Sequence, residues 1–348
     1  MSMPVMQYIM RPYPLLLLCF AFMTNIVRAQ NICKKRVFTQ TKMGSPFTIT
    51  LYGSDSLQMM QAAQEAFERV DELNRIFSDY MDSSELNRLS HTSGSGKAVP
   101  VSAALYDILE RAKKGYILSE GAFDITVGPV IRIWRDARRT NRFPEAPAIR
   151  QALQRTGSKW MHLLPRQRAV RLDKAGMQLD LGGIAKGYVA QAVLAFLKEA
   201  GFPIAMVNAG GDLALGDAPP GRNGWRIAVA IPEQQQGYMH EILLLTDCAI
   251  ATSGDVYQYT EWEGKRYSHI INPKTGYGVT TLRNTTVIAA EGATADWLAS
   301  ACNVLTIENA FRLVQQFPGT ALLIAEKRGD SLYTKANTAY QAYTSANQ

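Results

Sequence analysis

The apolar positions of this chain fall into two alternating periods. Residues 37–51 alternate apolar with polar and are rich in Thr, Phe and Ile, which predicts a strand pair turning at Met43-Gly44-Ser45-Pro46. Residues 54–76 switch to helical spacing, with Leu57, Met60, Ala63, Phe67, Val70 and Leu73 recurring every three or four positions. Residues 102–119 repeat that period, whereas 132–155 are polar and Arg-rich and are expected to be irregular. Further on, 177–181 reads as a buried strand, 184–200 as a helix and 205–207 as another strand. Short strands dominate 225–288, followed by helices over 293–305 and 307–316 and a strand over 321–325. The polar tail after Tyr333 is expected to fray.

Helices and strands alternate early and strands cluster late, which is the pattern of an α+β (mixed α/β) architecture. No linker, repeat or low-complexity tract divides residues 30–348, so a single two-lobed domain is the expectation. The composition, 47% hydrophobic and 19% charged over 348 residues, supports a buried core. It excludes disordered, collagen-like, coiled-coil and multi-span membrane classes.

Residues 1–29 have a separate character. Arg11 precedes an apolar run over 15–23, and Val27-Arg28-Ala29 offers small residues where a signal peptidase reads. About ten apolar residues are too few to span a bilayer. A cleaved signal peptide and export, to a bacterial periplasm, is the expectation; an uncleaved inner-membrane anchor is the alternative. A lipoprotein fits poorly, because Leu18 precedes Cys19. Cleavage removes Arg11 and Arg28 and no acid, taking the formal charge from +7 to +5. That surplus equals the excess of seven Arg over Asp136 and Glu145 within 132–155, so the chain has one basic segment rather than a basic character. The segment suits docking of an acidic partner or of phosphate. Aromatic residues do not interleave there as a nucleic-acid platform requires, and export argues against such a partner. Cys33, Cys248 and Cys302 are odd in number; Cys248 and Cys302 fall in apolar elements and read as core residues rather than ligands or nucleophiles.

Candidate chemistry sits at small-residue turns. In Asp180-Leu-Gly-Gly-Ile-Ala-Lys-Gly-Tyr188 a Gly pair precedes a helix start. Glycines let a phosphate approach the backbone, the helix start favours an anion, and Lys186 can add a charge. The stretch matches neither the P-loop nor the G-x-G-x-x-G pattern. A ligand-free turn is the alternative reading. Asn208-Ala-Gly-Gly-Asp212 and Ala251-Thr-Ser-Gly-Asp255 are two further polar turns, and the three together suggest one cleft. Asp296 and Ser300, four apart in a helix, project hard oxygens from one face, a spacing that suits Mg²⁺; local satisfaction of both is the alternative. His269 sits in an apparent strand before a Pro turn and has the chemistry of a general base; a packing or hydrogen-bonding role in the strand is the alternative. Gly121-Ala-Phe-Asp124 places a polar Asp in an apolar turn, as a ligand contact or as a cap.

Taken in order, these stretches resemble the FAD:protein FMN transferases, the ApbE family, formerly named thiamine-biosynthesis lipoproteins. The resemblance runs from Met43 through Tyr80 and Ser84-Glu-Leu-Asn-Arg-Leu89, then Gly121–Asp124 with Gly128-Pro129, 180–188, 208–212, 251–255, 269–276 and 295–300. It implies a two-lobed domain with a flavin cleft. It also implies a Mg²⁺-dependent enzyme that moves the FMN half of FAD onto a Ser or Thr hydroxyl of an acceptor protein and releases AMP. By the same resemblance, Asp296, Ser300 and the carbonyl of Gly183 would hold the metal. Met43, Tyr80, Ala122, Phe123, Asp124, Asp180, Lys186 and Ile271 would line the FAD site, and His269 would take the acceptor proton. The chain departs from the family pattern at four places: Ser300 stands for Thr, Ala299 for an Asp found in some members, Asn272 for Asp and Gln191 for Asp. The competing readings are an FAD pyrophosphatase that uses water as acceptor, and a flavin-binding protein without turnover.

Overall fold

The computed structural model describes residues 1–2, 33–232, 238–254 and 259–345; the signal-like segment, Asp255 and the side chain of His240 lie outside the described residues. In chain order, β1 (Lys34–Lys42) and β2 (Ser45–Gly53) are followed by α1 (Ser56–Phe77), α2 (Glu85–His91), β3 (Val99–Pro100) and α3 (Ala103–Leu118). Next come α4 (Gly128–Thr140), α5 (Ala146–Leu153), β4 (Met161–Leu164), β5 (Ala169–Leu172) and α6 (Ala185–Glu199). A strand-rich part holds β6 (Ala205–Ala209), β7 (Asp212–Leu215), β8 (Trp225–Pro232), β9 (Tyr238–Leu245), β10 (Cys248–Gly254), β11 (Tyr259–Trp262), β12 (Lys265–Ser268) and β13 (Arg283–Ala289). The chain ends with α7 (Gly292–Val304), α8 (Ile307–Val314), β14 (Ala321–Arg328), β15 (Ser331–Ala336) and α9 (Thr338–Ser345). This is the mixed helix-and-strand architecture that the pattern predicts.

The largest sheet among the described residues has the order β1-β2-β6-β7-β10-β13-β14-β15, with every neighbouring pair antiparallel. The main core contains inward residues of its strands, such as Phe47, Ile49, Val207, Ala251 and Val287, together with residues of α1, α6 and α7. Helix α1 is capped by Asp55, whose Oδ1 accepts from the N–H groups of Leu57 (2.8 Å) and Gln58 (3.1 Å). Its buried stripe is Met59, Ala62, Ala63, Ala66, Phe67, Val70, Leu73 and Phe77. Leu57 and Met60, expected on that face, are instead 67% and 54% exposed. They lie off the 3.6-residue stripe that starts at Met59.

Helix α7 is buried on almost every side, as expected of a helix with Ala, Trp, Leu and Cys around its whole circumference. Small residues let it approach α6 closely, and a methyl group on Gly187 would lie 2.1 Å from the carbonyl oxygen of Gly292. The far end of α7 is fixed by Arg283, whose Nη1 donates to the carbonyls of Cys302 (3.1 Å) and Leu305 (2.6 Å). The same guanidinium pairs with Glu326 across β13 and β14, both side chains 7% exposed. Burial pushes the Cys248 and Cys302 thiols up to about 12, so both are protonated core groups.

Five local expectations need correction. The Arg-rich stretch is two helices, α4 and α5, because Val130, Trp134 and Ala137 supply a helical stripe between the arginines. The apolar run 177–181 is buried but is no strand: Asp180 N–H goes to the Ile125 carbonyl (2.7 Å) and Leu179 N–H to Ser90 Oγ (3.2 Å), with one bridge from Gln178 to Val127. Residues 251–254 are the end of β10 rather than a turn. His269 lies in a bend just after β12, not in a strand. The tail carries β15 and α9, held by Tyr340, which is 2% exposed and donates to Glu241 Oε2 at 2.8 Å. Among the described residues no helix is long and apolar enough to cross a membrane.

The Gly187 contact yields a stability prediction. Alanine is intrinsically better than glycine in a helix by about 1 kcal/mol. The added methyl, however, would meet a backbone oxygen that no rotamer change can move. Gly187→Ala is therefore expected to lose about 2 kcal/mol of unfolding free energy in urea titrations; an unchanged midpoint would show that the two helices can slide apart freely.

Candidate active site

The site is built where α6 starts against α7. Helix α6 has no side-chain cap at Ile184, so its first N–H groups face other partners. One of them, on Gly187, donates to Asp296 Oδ2 at 3.0 Å. Ser300 follows Asp296 by one turn of α7, and a methyl on Gly183 would lie 2.9 Å from its Oγ. Gly183, Asp296 and Ser300 are thus brought to one place by the strand-to-helix turn and the α6–α7 contact. Lys186, in the first turn of α6, extends to the β6–β7 turn, its Nζ being 3.4 Å from where a methyl on Gly210 would sit. Gly210 and Gly211 both have positive φ, 67° and 113°, a conformation that favours glycine.

Asp212, at the start of β7, joins this group. Burial and the neighbouring Asp296 carboxylate push its pKa well up, against the opposing pull of Lys186. Burial likewise pushes Asp296 up to about 7, opposed by the Gly187 N–H and Lys186. The sequence marks Asp212 only as the end of a polar turn; its place beside Asp296 depends on tertiary packing. Ser45 was also missed. Its hydroxyl is buried with no partner among the described residues, and a methyl on Gly210 would come within 2.4 Å of it. Met43, two residues earlier, has φ +50° and Gly44 +72°, the backbone of a type I′ hairpin turn in which Asn or Gly usually holds the first place.

A second cluster surrounds Asp180. Its Oδ1 accepts from the Gly182 N–H at 2.8 Å and fixes the Gly-Gly turn. Its Oδ2 accepts from Arg135 Nη2 at 2.8 Å, and the other Nη of Arg135 pairs with Asp79. Burial, and the Asp79 carboxylate beside it, push Asp180 up to about 7 in spite of Arg135. The guanidinium also covers the Tyr80 ring, 4.1 Å from its centroid, while Tyr80 stays 76% exposed. Neither Arg135 nor Asp79 was singled out from sequence.

Asp124 is held by its own surroundings. Oδ1 accepts from Thr126 N–H (2.9 Å), Thr126 Oγ1 (2.7 Å) and Ser158 Oγ (2.7 Å), and Oδ2 accepts from Ser158 N–H (3.3 Å). These bonds tie the Gly121–Asp124 turn to Thr126 and Ser158, and Phe123 reaches the Gly183 turn, its ring 3.3 Å from where a methyl on Gly183 would sit. Phe123 also packs against Trp297 of α7, ring centroids 5.8 Å apart.

His269 and Ile271 belong to a different neighbourhood. Ile271 packs with Val130, Trp134, Ile149 and Ala152 of α4 and α5. The turn is closed by Asn272, whose N–H donates to the Tyr277 carbonyl (2.9 Å) and whose Oδ1 accepts from Lys274 N–H (2.9 Å). Trp134 Nε1 donates to the Gly276 carbonyl at 2.8 Å. His269 is half-buried at the mouth of this turn. Helix α4 therefore joins two predicted parts: Trp134 holds the His269 turn, and Arg135 holds Asp180.

Among the described residues no group of three or more His, Cys, Asp and Glu is placed to hold a metal ion. The candidate donors are of another kind: one carboxylate, one hydroxyl and one carbonyl, all hard oxygens. Such a set suits Mg²⁺, which takes few protein ligands and keeps its remaining places for water and phosphate. The partly uncompensated Asp212–Asp296 pair is the electrostatic counterpart of that fit.

The α+β fold thus brings a lysine, hard oxygen donors and aromatic side chains toward the start of α6. The sequence model of the ApbE family matches residues 43–324, and the chain belongs to that family. It is 32% identical over 276 residues to the FAD:protein FMN transferase of Treponema pallidum (strain Nichols), covering 75% of this chain and 76% of that protein. It is 30% identical over 308 residues to the FAD:protein FMN transferase of Vibrio cholerae serotype O1, covering 87% and 91%. Among solved structures, the flavin transferase ApbE from Vibrio cholerae superposes with a TM-score of 0.81 at 27% identity, over 89% of this chain and 99% of that one. The apo flavinyl transferase ApbE of Pseudomonas stutzeri gives 0.79 at 26% identity, over 90% and 97%.

The raised pKa of Asp180 has a sign that can be tested. A carboxyl that titrates near 7 in the fold and near its ordinary value when unfolded keeps a proton in the fold that the unfolded chain has lost. Its contribution to stability is full below the ordinary carboxylate range and declines as pH rises to about 7. The protein is expected to lose stability to urea between pH 5 and pH 8, and Asp180→Asn, which cannot titrate, is expected to lose less. Parallel pH profiles would remove Asp180 from the account.

Proposed function

We propose that this chain is an FAD:protein FMN transferase: it moves the FMN half of FAD onto a Ser or Thr hydroxyl of an acceptor protein and releases AMP. The observation that carries the reading is the meeting of Gly183, Lys186, Asp212, Asp296 and Ser300 at the uncapped start of α6. The names of the relatives and structural neighbours support the same reading. The N-terminal segment is taken as an export signal, placing the enzyme with exported acceptors.

Each of these groups except Asp212 has a task in that reaction. The ammonium of Lys186, set at the positive end of the α6 dipole, holds the diphosphate. Asp296, Ser300 and the Gly183 carbonyl would hold Mg²⁺, which when bound neutralises the charge that builds on the phosphoryl oxygens and the leaving AMP. Met43, Tyr80, Ala122, Phe123 and Ile271 line the flavin, with Asp124 holding the Ala122–Phe123 turn in place. The acceptor hydroxyl oxygen forms a bond to the phosphorus of the FMN half while the bridging P–O bond to AMP breaks. His269 takes the hydroxyl proton, without which the oxygen is a poor nucleophile at neutral pH. Asn272 supplies no charge to the turn that carries His269; its side chain acts there as a turn former.

Incubating the protein with FAD, Mg²⁺ and an acceptor domain tests the reading through the acceptor mass. An FMN-sized gain is expected; free FMN without that gain would mean hydrolysis, and intact FAD would mean a binder. His269→Ala is expected to lower transfer by about 10²-fold or more while FAD still binds. Asp296→Ala should lose activity together with any response to Mg²⁺, and a fully active Asp296→Ala protein would overturn the metal assignment.

A further inference from the structure

Arg135 has no role in the assignments above, yet it makes two ion pairs and a ring contact. Its two terminal nitrogens are committed to Asp79 and Asp180, so its charge is neutralised internally and is poorly suited to a diphosphate. Its flat face is committed as well, lying over the Tyr80 ring at 4.1 Å. Since Tyr80 is 76% exposed with one face covered, its other face is open. Asp180 in turn holds the Gly182 N–H at 2.8 Å, one residue before Gly183. One guanidinium therefore ties three things together: an exposed aromatic ring, the loop that carries it, and the turn from which α6 starts.

We propose that Arg135 is a positioning residue for the flavin ring, backing Tyr80 so that its open face forms the stacking platform, and locking that platform to the α6 turn through Asp79 and Asp180. The inference rests on the flavin reading of the site. Arginine fits the task because a planar fork can bridge two carboxylates while its face stacks on a ring, which an ammonium cannot do. Without Arg135, Asp79 and Asp180 would be two adjacent, partly buried carboxylates with no counter-charge. The Tyr80 ring would also lose a cation–π partner.

The test compares two probes on the full chain: FAD, which has the flavin ring, and ADP, which has the diphosphate without it. Arg135→Ala is expected to weaken FAD binding, read by flavin fluorescence, about tenfold, and to leave ADP binding within twofold. FAD KM should rise by more than kcat falls. Arg135→Lys should restore only part of the affinity. Tyr80→Ala should weaken FAD binding similarly, and the double variant should be little worse than either single one, because both remove the same platform. Equal loss for FAD and ADP, or additive losses in the double variant, would overturn the proposal in favour of a general structural role. Unchanged FAD affinity in both Arg135→Ala and Arg135→Lys would overturn it while the flavin reading stands. A wild-type chain that binds ADP but not FAD would overturn the flavin reading and this proposal with it. If Arg135→Ala does not fold, the FAD-to-ADP contrast in Arg135→Lys decides.

Discussion

The geometry of the site depends on the contact between two glycines. Gly187 and Gly292 let α6 and α7 approach until a single methyl would collide with a carbonyl oxygen at 2.1 Å. Only at that separation can Asp296 reach the Gly187 N–H, and only then does Ser300 come up against Gly183. The contact is maintained from behind. Arg283 fixes the last turn of α7 to β13 and β14 through a buried pair with Glu326 and two helix carbonyls. Removing one member of such a pair costs about 3–5 kcal/mol, far more than an exposed ion pair contributes. The position of the donor oxygens is thus set by backbone packing rather than by their own weak mutual contacts.

Helix α4 supplies the second constraint. Consecutive residues on a helix point about 100° apart, and this helix uses that divergence. Trp134 points to the 267–278 turn and donates to the Gly276 carbonyl, and Arg135 points to Asp180 and Asp79. The turn bearing the proposed base and the turn starting α6 are both anchored to one rigid element. The local excess of positive charge changes meaning in this light. Arg135 is neutralised by Asp79 and Asp180, two acids outside the segment, so less of the segment's surplus faces outward than its composition suggests.

Local signals were legible in the sequence; signals that need two distant segments were not. The Gly-rich turn before α6, the four-residue spacing of Asp296 and Ser300, and the hairpin at Met43-Gly44 are each contained in a few residues, and the structure bears out the element at each. The Arg135–Asp79 pair spans 56 positions, and nothing in either neighbourhood announces the other. Apolarity at 177–181 correctly signals burial, but burial does not imply a ladder: its amides find a loop carbonyl and a serine hydroxyl instead. The arginines of α4 hide the period of Val130, Trp134 and Ala137. The polarity of the tail hides Tyr340, one buried ring that holds a whole short helix.

The locations where local rules are broken argue for the functional reading independently of any resemblance. Met43 takes a left-handed conformation that costs a side-chain-bearing residue about 1 kcal/mol or more. Two residues on, Ser45 buries a hydroxyl without a partner among the described residues, at a cost of about 1–3 kcal/mol. Across Gly210 from Ser45 lies Lys186, and near it Asp212 and Asp296 hold carboxyls that burial pushes well above their ordinary range. A chain selected for stability alone would have no reason to keep these features, since Asn at the turn and apolar residues at the acids would each relieve one. Left-handed residues and unpartnered buried polar atoms also occur elsewhere among the described residues, as at Asp247 and Thr285; what a binding site for a charged ligand requires is their coincidence with a lysine and two raised carboxyls, polar groups left unsatisfied by the fold so that the ligand can satisfy them.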